Sequence, residues 1–266
     1  FAASSWFAMS LVGAFPMAVA GVGISPAAAF FEAVSGITST GSTALTGLDT
    51  LQPGILLWRS LLQWIGGVGI IVFAVFLFPF LGISGQQLFL MESSETAEKA
   101  FARFREYALR IIGLYLLLTA GCALGYDALG MDFFDAFNHA MTTVATGGFS
   151  TSDLSMAKFH SIPILWVAIV FMLLGAFPFL VLLTGFSARR RAFDVQIPWL
   201  IGVVAISVAI AIAAFRADGE IIDFSRFSTI VFTLVSIVTT TGYAYEDYTG
   251  WPVAVLAVIF LLTLLG

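Results

Sequence analysis

Thr38-Ser39-Thr40-Gly41-Ser42-Thr43 follows a twelve-residue apolar segment, 26–37, and precedes a much longer one, 55–83. A twelve-residue helix rises only about 18 Å, against a bilayer hydrocarbon core of about 30 Å, so the first segment is too short to cross. The same order recurs twice. The short segment 133–143 leads into Val144-Ala145-Thr146-Gly147-Gly148-Phe149, and 224–238 leads into Thr239-Thr240-Thr241-Gly242-Tyr243. Aligned on Thr40-Gly41, Thr146-Gly147 and Thr241-Gly242, a phenylalanine falls ten residues before each glycine, at Phe31, Phe137 and Phe232. Ser35 and Ser236 also coincide between the first and third copies.

Working outward, five apolar runs reach membrane-spanning length: 6–24, 55–83, 108–129, 162–186 and 197–215, with a sixth at 251–266. The chain therefore divides into three units of long helix, short helix, polar glycine loop and long helix. These are residues 1–83 (short helix 26–37, loop 38–43), 84–186 (133–143, loop 144–149) and 187–266 (224–238, loop 239–243). The predicted fold is an all-α, multi-pass integral membrane protein.

Composition agrees. Of 266 residues 60% are hydrophobic and 10% charged, where a soluble domain carries about 25% charged residues. A net charge of −5 excludes the basic footprint of a nucleic-acid-binding protein. The single cysteine, Cys122, lies in an apolar run and reads as a small buried side chain. It and the two histidines lie too far apart for a metal-ligand spacing. Lys99, Arg103, Arg105, Arg110, Arg189, Arg190 and Arg191 cluster on one side, which the positive-inside rule makes cytoplasmic. The short helices and loops then open onto an outer face rich in carboxylates, from Asp49 through Asp127, Asp132, Asp135, Asp153, Asp218, Glu220, Asp223 and Glu246 to Asp247. Glu32, Asp135 and Asp223 are expected at or near the starts of the short helices, where a carboxylate favours the helix dipole and makes the outer mouth negative.

Non-helical backbone at membrane depth is tolerated only where protein buries it or where it lines an aqueous cavity. Three such loops in register imply a shared cavity lined by backbone carbonyls and Thr/Ser hydroxyls. Neutral oxygens suit a monovalent cation that must bind and then leave, whereas a divalent ion would want carboxylates. Glycine permits the φ angles that aim successive carbonyls inward. The cluster Gly66-Gly67-Val68-Gly69 reads as close helix packing, and His139 as a packing or hydrogen-bonding residue. Arg59 is positioned either to pair with an outer carboxylate or to add a positive field near the pore. A coupled secondary transporter of another solute would show inverted repeats, but these run in one direction. An intramembrane enzyme would need a nucleophile–base pair or a metal cluster, which the sequence does not offer.

The segments Phe31–Gly41, Trp58-Arg59, Gln63-Trp64-Ile65-Gly66-Gly67, Asn138-His139-Ala140-Met141, Thr146–Ser150 and Thr239–Tyr243 together resemble the Trk/Ktr/HKT superfamily of potassium transporters, most closely its bacterial Trk-type membrane subunit. The resemblance implies four such units around one pore and a filter glycine in each. It also implies a homodimer in the lipid of the bacterial inner membrane, and a cytoplasmic nucleotide-binding regulatory subunit. The transported ion would be K⁺, with no bound cofactor and no enzymatic activity. A less selective Na⁺/K⁺ transporter is the variant reading. Carried onto this chain, the ion-binding residues are Thr40, Gly41, Thr146, Gly147, Thr241 and Gly242. Thr38, Ser39, Val144, Ala145, Gly148, Thr239, Thr240 and Tyr243 support them. A fourth filter segment and a glycine-rich break in the third inner helix, the family's gate, would lie after Gly266.

Overall fold

A computed structural model describes residues 2–21, 23–81, 97–184 and 196–266. The arginine cluster Arg189–Arg191 lies outside them, as do the side chains of Lys99 and Arg103. The described residues are all-helical. In chain order, α1 (Ala2–Val19), α2 (Pro26–Ile37) and α3 (Pro53–Leu81) form a first group. A second group is α4 (Ala97–Ala128), α5 (Phe133–Val144) and α6 (Ile162–Ala176), followed by the short α7 (Phe179–Thr184). The third is α8 (Gln196–Ala217), α9 (Phe224–Val238) and α10 (Val253–Leu265). Three stretches, Pro53–Phe73, Arg105–Ala128 and Gln196–Ala217, are long and apolar enough to cross a membrane. Large apolar side chains stand exposed on these stretches, such as Leu117 and Ile206, and on the shorter α1 and α10, such as Phe15 and Phe260, an outward surface suited to lipid.

Local chemistry fixes where the short helices start. Ser25 caps α2, its hydroxyl accepting from Ala28 N, with Pro26 at the first helical position. Asp132 caps α5 by accepting from Phe134 N, and Asp223 caps α9 by accepting from Arg226 N. Of the three carboxylates expected at helix starts, Glu32 is misplaced. It lies in the middle of α2, fully buried, and contributes nothing to an outer field.

The long run 162–186 is not one helix. It breaks at Phe177, which is extended (φ −72°, ψ 146°), and resumes at Phe179. Pro178 is the cause: it lacks an N–H and its ring disfavours the helical region for the residue before it.

Each group packs its last long helix beneath its own short helix at a glycine. A Cβ on Gly66 would overlap the carbonyl oxygen of Ile37; one on Gly175 would lie 2.7 Å from Val144 O, and one on Gly266 2.8 Å from Val238 O. Ile37, Val144 and Val238 are the final helical residues of α2, α5 and α9. Between groups, α3 packs on α5 and α6 packs on α9, so each group leans on the short helix of the next. The largest core cluster fills this middle region, with Tyr115, Cys122, Tyr126, Phe232 and Tyr243 buried together.

Candidate functional site

The three glycine loops leave their helices through the same backbone path. The first residue past the helix is right-handed or near it: Thr38 (φ −90°), Ala145 (φ −72°), Thr239 (φ −84°). The next has positive φ: Ser39 (53°), Thr146 (48°), Thr240 (58°). Two residues later φ is positive again, at Gly41 (80°), Gly148 (73°) and Gly242 (78°). The backbone therefore pairs Gly148, not Gly147, with Gly41 and Gly242, and the alignment on Thr146-Gly147 is one residue out of register. α5 is the reason: it runs through Val144, so that residue is helical and the loop starts at Ala145.

Three contacts agree with the shifted register. Six residues before these glycines stand Ser35, Thr142 and Ser236, all hydroxylated, and each gives its carbonyl to the loop. Thr40 N donates to Ser35 O (2.9 Å), Gly147 N to Thr142 O (2.9 Å) and Gly242 N to Ser236 O (3.1 Å). Nine residues before them, Glu32 and His139 occupy one position, and each holds the residue two past its glycine. Glu32 Oε1 accepts from Thr43 Oγ1 at 2.8 Å, and His139 Nε2 lies 3.0 Å from Ser150 Oγ. His139 Nδ1 faces Asp135 O at 2.8 Å; a carbonyl only accepts, so Nδ1 carries the proton and Nε2 accepts from Ser150. Asn138 takes the place that Phe31 and Phe232 hold in the other groups.

The loop amides that turn back onto the short-helix ends are spent on Ser35 O, Thr142 O and Ser236 O, bonds in which the loops' own carbonyls take no part. Those short helices also point their negative ends at the loops. The hydroxyls are otherwise engaged. Thr38 and Thr40 bond each other at 2.8 Å, as do Thr239 and Thr241, while the second loop has Ala145 and Gly147 at those places. Ser39, Thr146 and Thr240 are hydroxylated in all three loops, but Ser39 donates to Gln63 O and Thr240 to Thr239 O, so the backbone carbonyls are the oxygens every loop has to offer.

The loops meet head to tail. A Cβ on Gly41 would overlap Gly147 O, and one on Gly148 would overlap Thr241 O; around Gly242 nothing lies within 4 Å. The second loop is thereby enclosed by the first and third.

Side chains from several elements brace this stack. Gln63 on α3, fully buried, donates from Nε2 to Gly147 O (2.7 Å) and accepts at Oε1 from Phe149 N (3.0 Å). Arg59, one turn earlier, pairs with Glu32, donates to Ser150 O (3.0 Å) and Thr43 Oγ1 (3.2 Å), and lies 4.2 Å over the Phe149 ring. Of the two roles open to it, the pairing with a carboxylate is the one observed. Tyr243 reaches across to the second group, with its hydroxyl 2.6 Å from Thr142 Oγ1 and donating to His139 O (3.1 Å). On the outer rim Asp153 accepts from Gly47 N and Leu48 N, and Asp49 from Ser152 Oγ, which ties the first loop's exit to the second's. Lys158 neutralises Asp135, and Arg226 pairs with Glu220 and Glu246. The hydroxyl and amide of Thr249 hold the Asp247 carboxyl below the ordinary carboxylate range, so it stays charged at neutral pH. Among the described residues no three His, Cys, Asp or Glu side chains gather to hold a metal.

Residues 2–195 match the TrkH family, described as a cation transport protein. The chain is 37% identical over 265 residues to the Trk system potassium uptake protein TrkI of Halomonas elongata, covering 98% of this chain and 54% of that protein. It is 37% identical over 256 residues to TrkH of Escherichia coli K12, covering 93% and 53%. The crystal structure of the potassium transporter TrkH from Vibrio parahaemolyticus superposes with a TM-score of 0.84 at 32% identity, over 97% of this chain and 53% of that one. The chain thus spans about half the length of the curated relatives it matches.

Proposed function

The chain belongs to the TrkH family of cation transport proteins, and from that premise we propose that its three glycine loops are filter segments of a K⁺ uptake pathway. Helices α2, α5 and α9 act as re-entrant pore helices. The carbonyls of Thr40–Gly41, Gly147–Gly148 and Thr241–Gly242 replace part of the ion's hydration shell, with Thr146 setting the turn into the second segment. The head-to-tail contact of the loops carries this reading, because it sets Gly147 O against the first loop at Gly41 and Thr241 O against the second loop at Gly148. A fourth group fits between the open side of Gly242 and the first loop and closes the ring. As in the resemblance drawn from sequence, the protein works as a homodimer in the inner membrane with a cytoplasmic nucleotide-binding regulator.

The test is flux through the full-length protein in a bacterium lacking its own K⁺ uptake, with Rb⁺ and Na⁺ measured side by side. Rb⁺ uptake well above Na⁺ uptake, reduced in preference by Gly41→Ser and by Gly148→Ser, is the expected result. Flux without preference between the two ions, or a preference indifferent to both substitutions, would sink it.

A further inference from the structure

At the junction between the first and second loops a buried side-chain amide, that of Gln63, binds a loop carbonyl. We infer that Gln63 is a positioning residue for ion selectivity, acting through the Gly147 carbonyl; this rests on the filter reading above.

Gln63 belongs to α3, yet both of its amide hydrogen bonds go to the second loop: Nε2 to Gly147 O at 2.7 Å, Oε1 from Phe149 N at 3.0 Å. It touches the first loop as well, its own carbonyl accepting from Ser39 Oγ at 3.3 Å. The Cβ position of Gly41 lies 3.7 Å from Gln63 Nε2 and overlaps Gly147 O. The amide therefore sits where two filter segments meet. It spans the Gly147–Phe149 stretch like a staple and fixes the Gly147 peptide plane.

The corresponding places in the other groups carry no amide. Counting three residues back from the glycine that docks under each short helix, Gly66 gives Gln63, Gly175 gives Met172 and Gly266 gives Thr263. Met172 is fully buried and has no N–H to give. Thr263 spends its hydroxyl on Phe260 O of its own helix. One carbonyl of the stack, Gly147 O, thus shares a lone pair with a protein donor, and among the described residues no side chain donates to the equivalent Thr241 O. A carbonyl held this way cannot swing inward to close on an ion smaller than K⁺. It also offers that ion a weaker field than a free carbonyl would.

The experiment compares Gln63→Met and Gln63→Glu in the full-length protein with the parent and with Gly148→Ser, reading K⁺/Na⁺ preference, K⁺ flux per transporter and thermal stability. Met removes both bonds at similar volume. Glu keeps an acceptor for Phe149 N and loses the donor to Gly147 O. Each is expected to lower K⁺/Na⁺ preference by about three- to tenfold, the equivalent of one net hydrogen bond, while K⁺ flux persists. Preference unchanged in either folded Gln63 variant while Gly148→Ser shifts it overturns the inference and leaves the filter reading standing. Preference unchanged in all three variants overturns both. If neither Gln63 variant assembles, the residue is structural only and the inference fails.

Discussion

Arg59 on α3 and Glu32 on α2 form an ion pair at 2.7 Å in which neither side chain reaches solvent. Both side chains are bonded further. Glu32 also accepts from Thr43 Oγ1 and Ala44 N, and Arg59 also donates to Thr43 and to Ser150 O of the second loop. Removing one partner strands a buried charge, which costs about 3–5 kcal/mol, whereas removing both leaves no charge behind. Arg59→Met and Glu32→Gln should each reduce the yield of folded protein sharply, and the double variant should recover part of it. Melting curves of the purified protein check this. Equal losses in the single and double variants would contradict it.

The loop glycines test the fourth group. All three hold positive φ, which costs other residues roughly 1–2 kcal/mol. Gly41 and Gly148 also abut a carbonyl of the next loop, and around Gly242 nothing lies within 4 Å. In the full-length protein the proposed fourth group would set its own carbonyl against Gly242, so alanine at each of the three should damage selectivity to a similar extent in Rb⁺/Na⁺ flux. A much smaller effect at Gly242 than at Gly148 would count against a fourth carbonyl there.

Gly66 serves packing rather than ions. A Cβ there overlaps Ile37 O, and relieving such overlap typically costs about 1–3 kcal/mol. Gly66→Ala should lower membrane expression while the surviving protein keeps its ion preference. A changed permeability ratio at normal expression would place Gly66 in the conducting path.

The outer field should depend on Asp132 and Asp223, not on Glu32. Asparagine caps a helix as well as aspartate does, so Asp132→Asn with Asp223→Asn removes charge and keeps both caps. Uptake should fall at low ionic strength and converge with the parent near 1 M salt, where the Debye length is about 3 Å. A deficit equal at all salt concentrations would assign these residues to folding.

Hydropathy and length made the helices legible: Pro26–Ile37 and Phe224–Val238 span the segments that the pattern marks. The second loop was harder because Gly147-Gly148 offers two registers, and a phenylalanine coincidence at Phe137 favours the wrong one. The hydroxyls at Ser35, Thr142 and Ser236 carry the signal that settles it. Pro178 was visible, but its break was hidden by the uninterrupted apolar run around it. Glu32 and Gln63 were opaque for another reason. Their roles are defined by partners 11 to 86 residues away, and no local pattern encodes such contacts.

The contact of a glycine on the next loop's carbonyl joins unlike faces, the heterologous kind that builds rings from separate subunits. In a ring of identical chains any substitution is made at every junction at once, so symmetry forbids tuning one of them. Here the copies are tandem segments of one polypeptide, each free to diverge. Gln63, Met172 and Thr263 stand at one position of three tandem units. Covalent linkage makes that position three separate residues, each adjustable without touching the others.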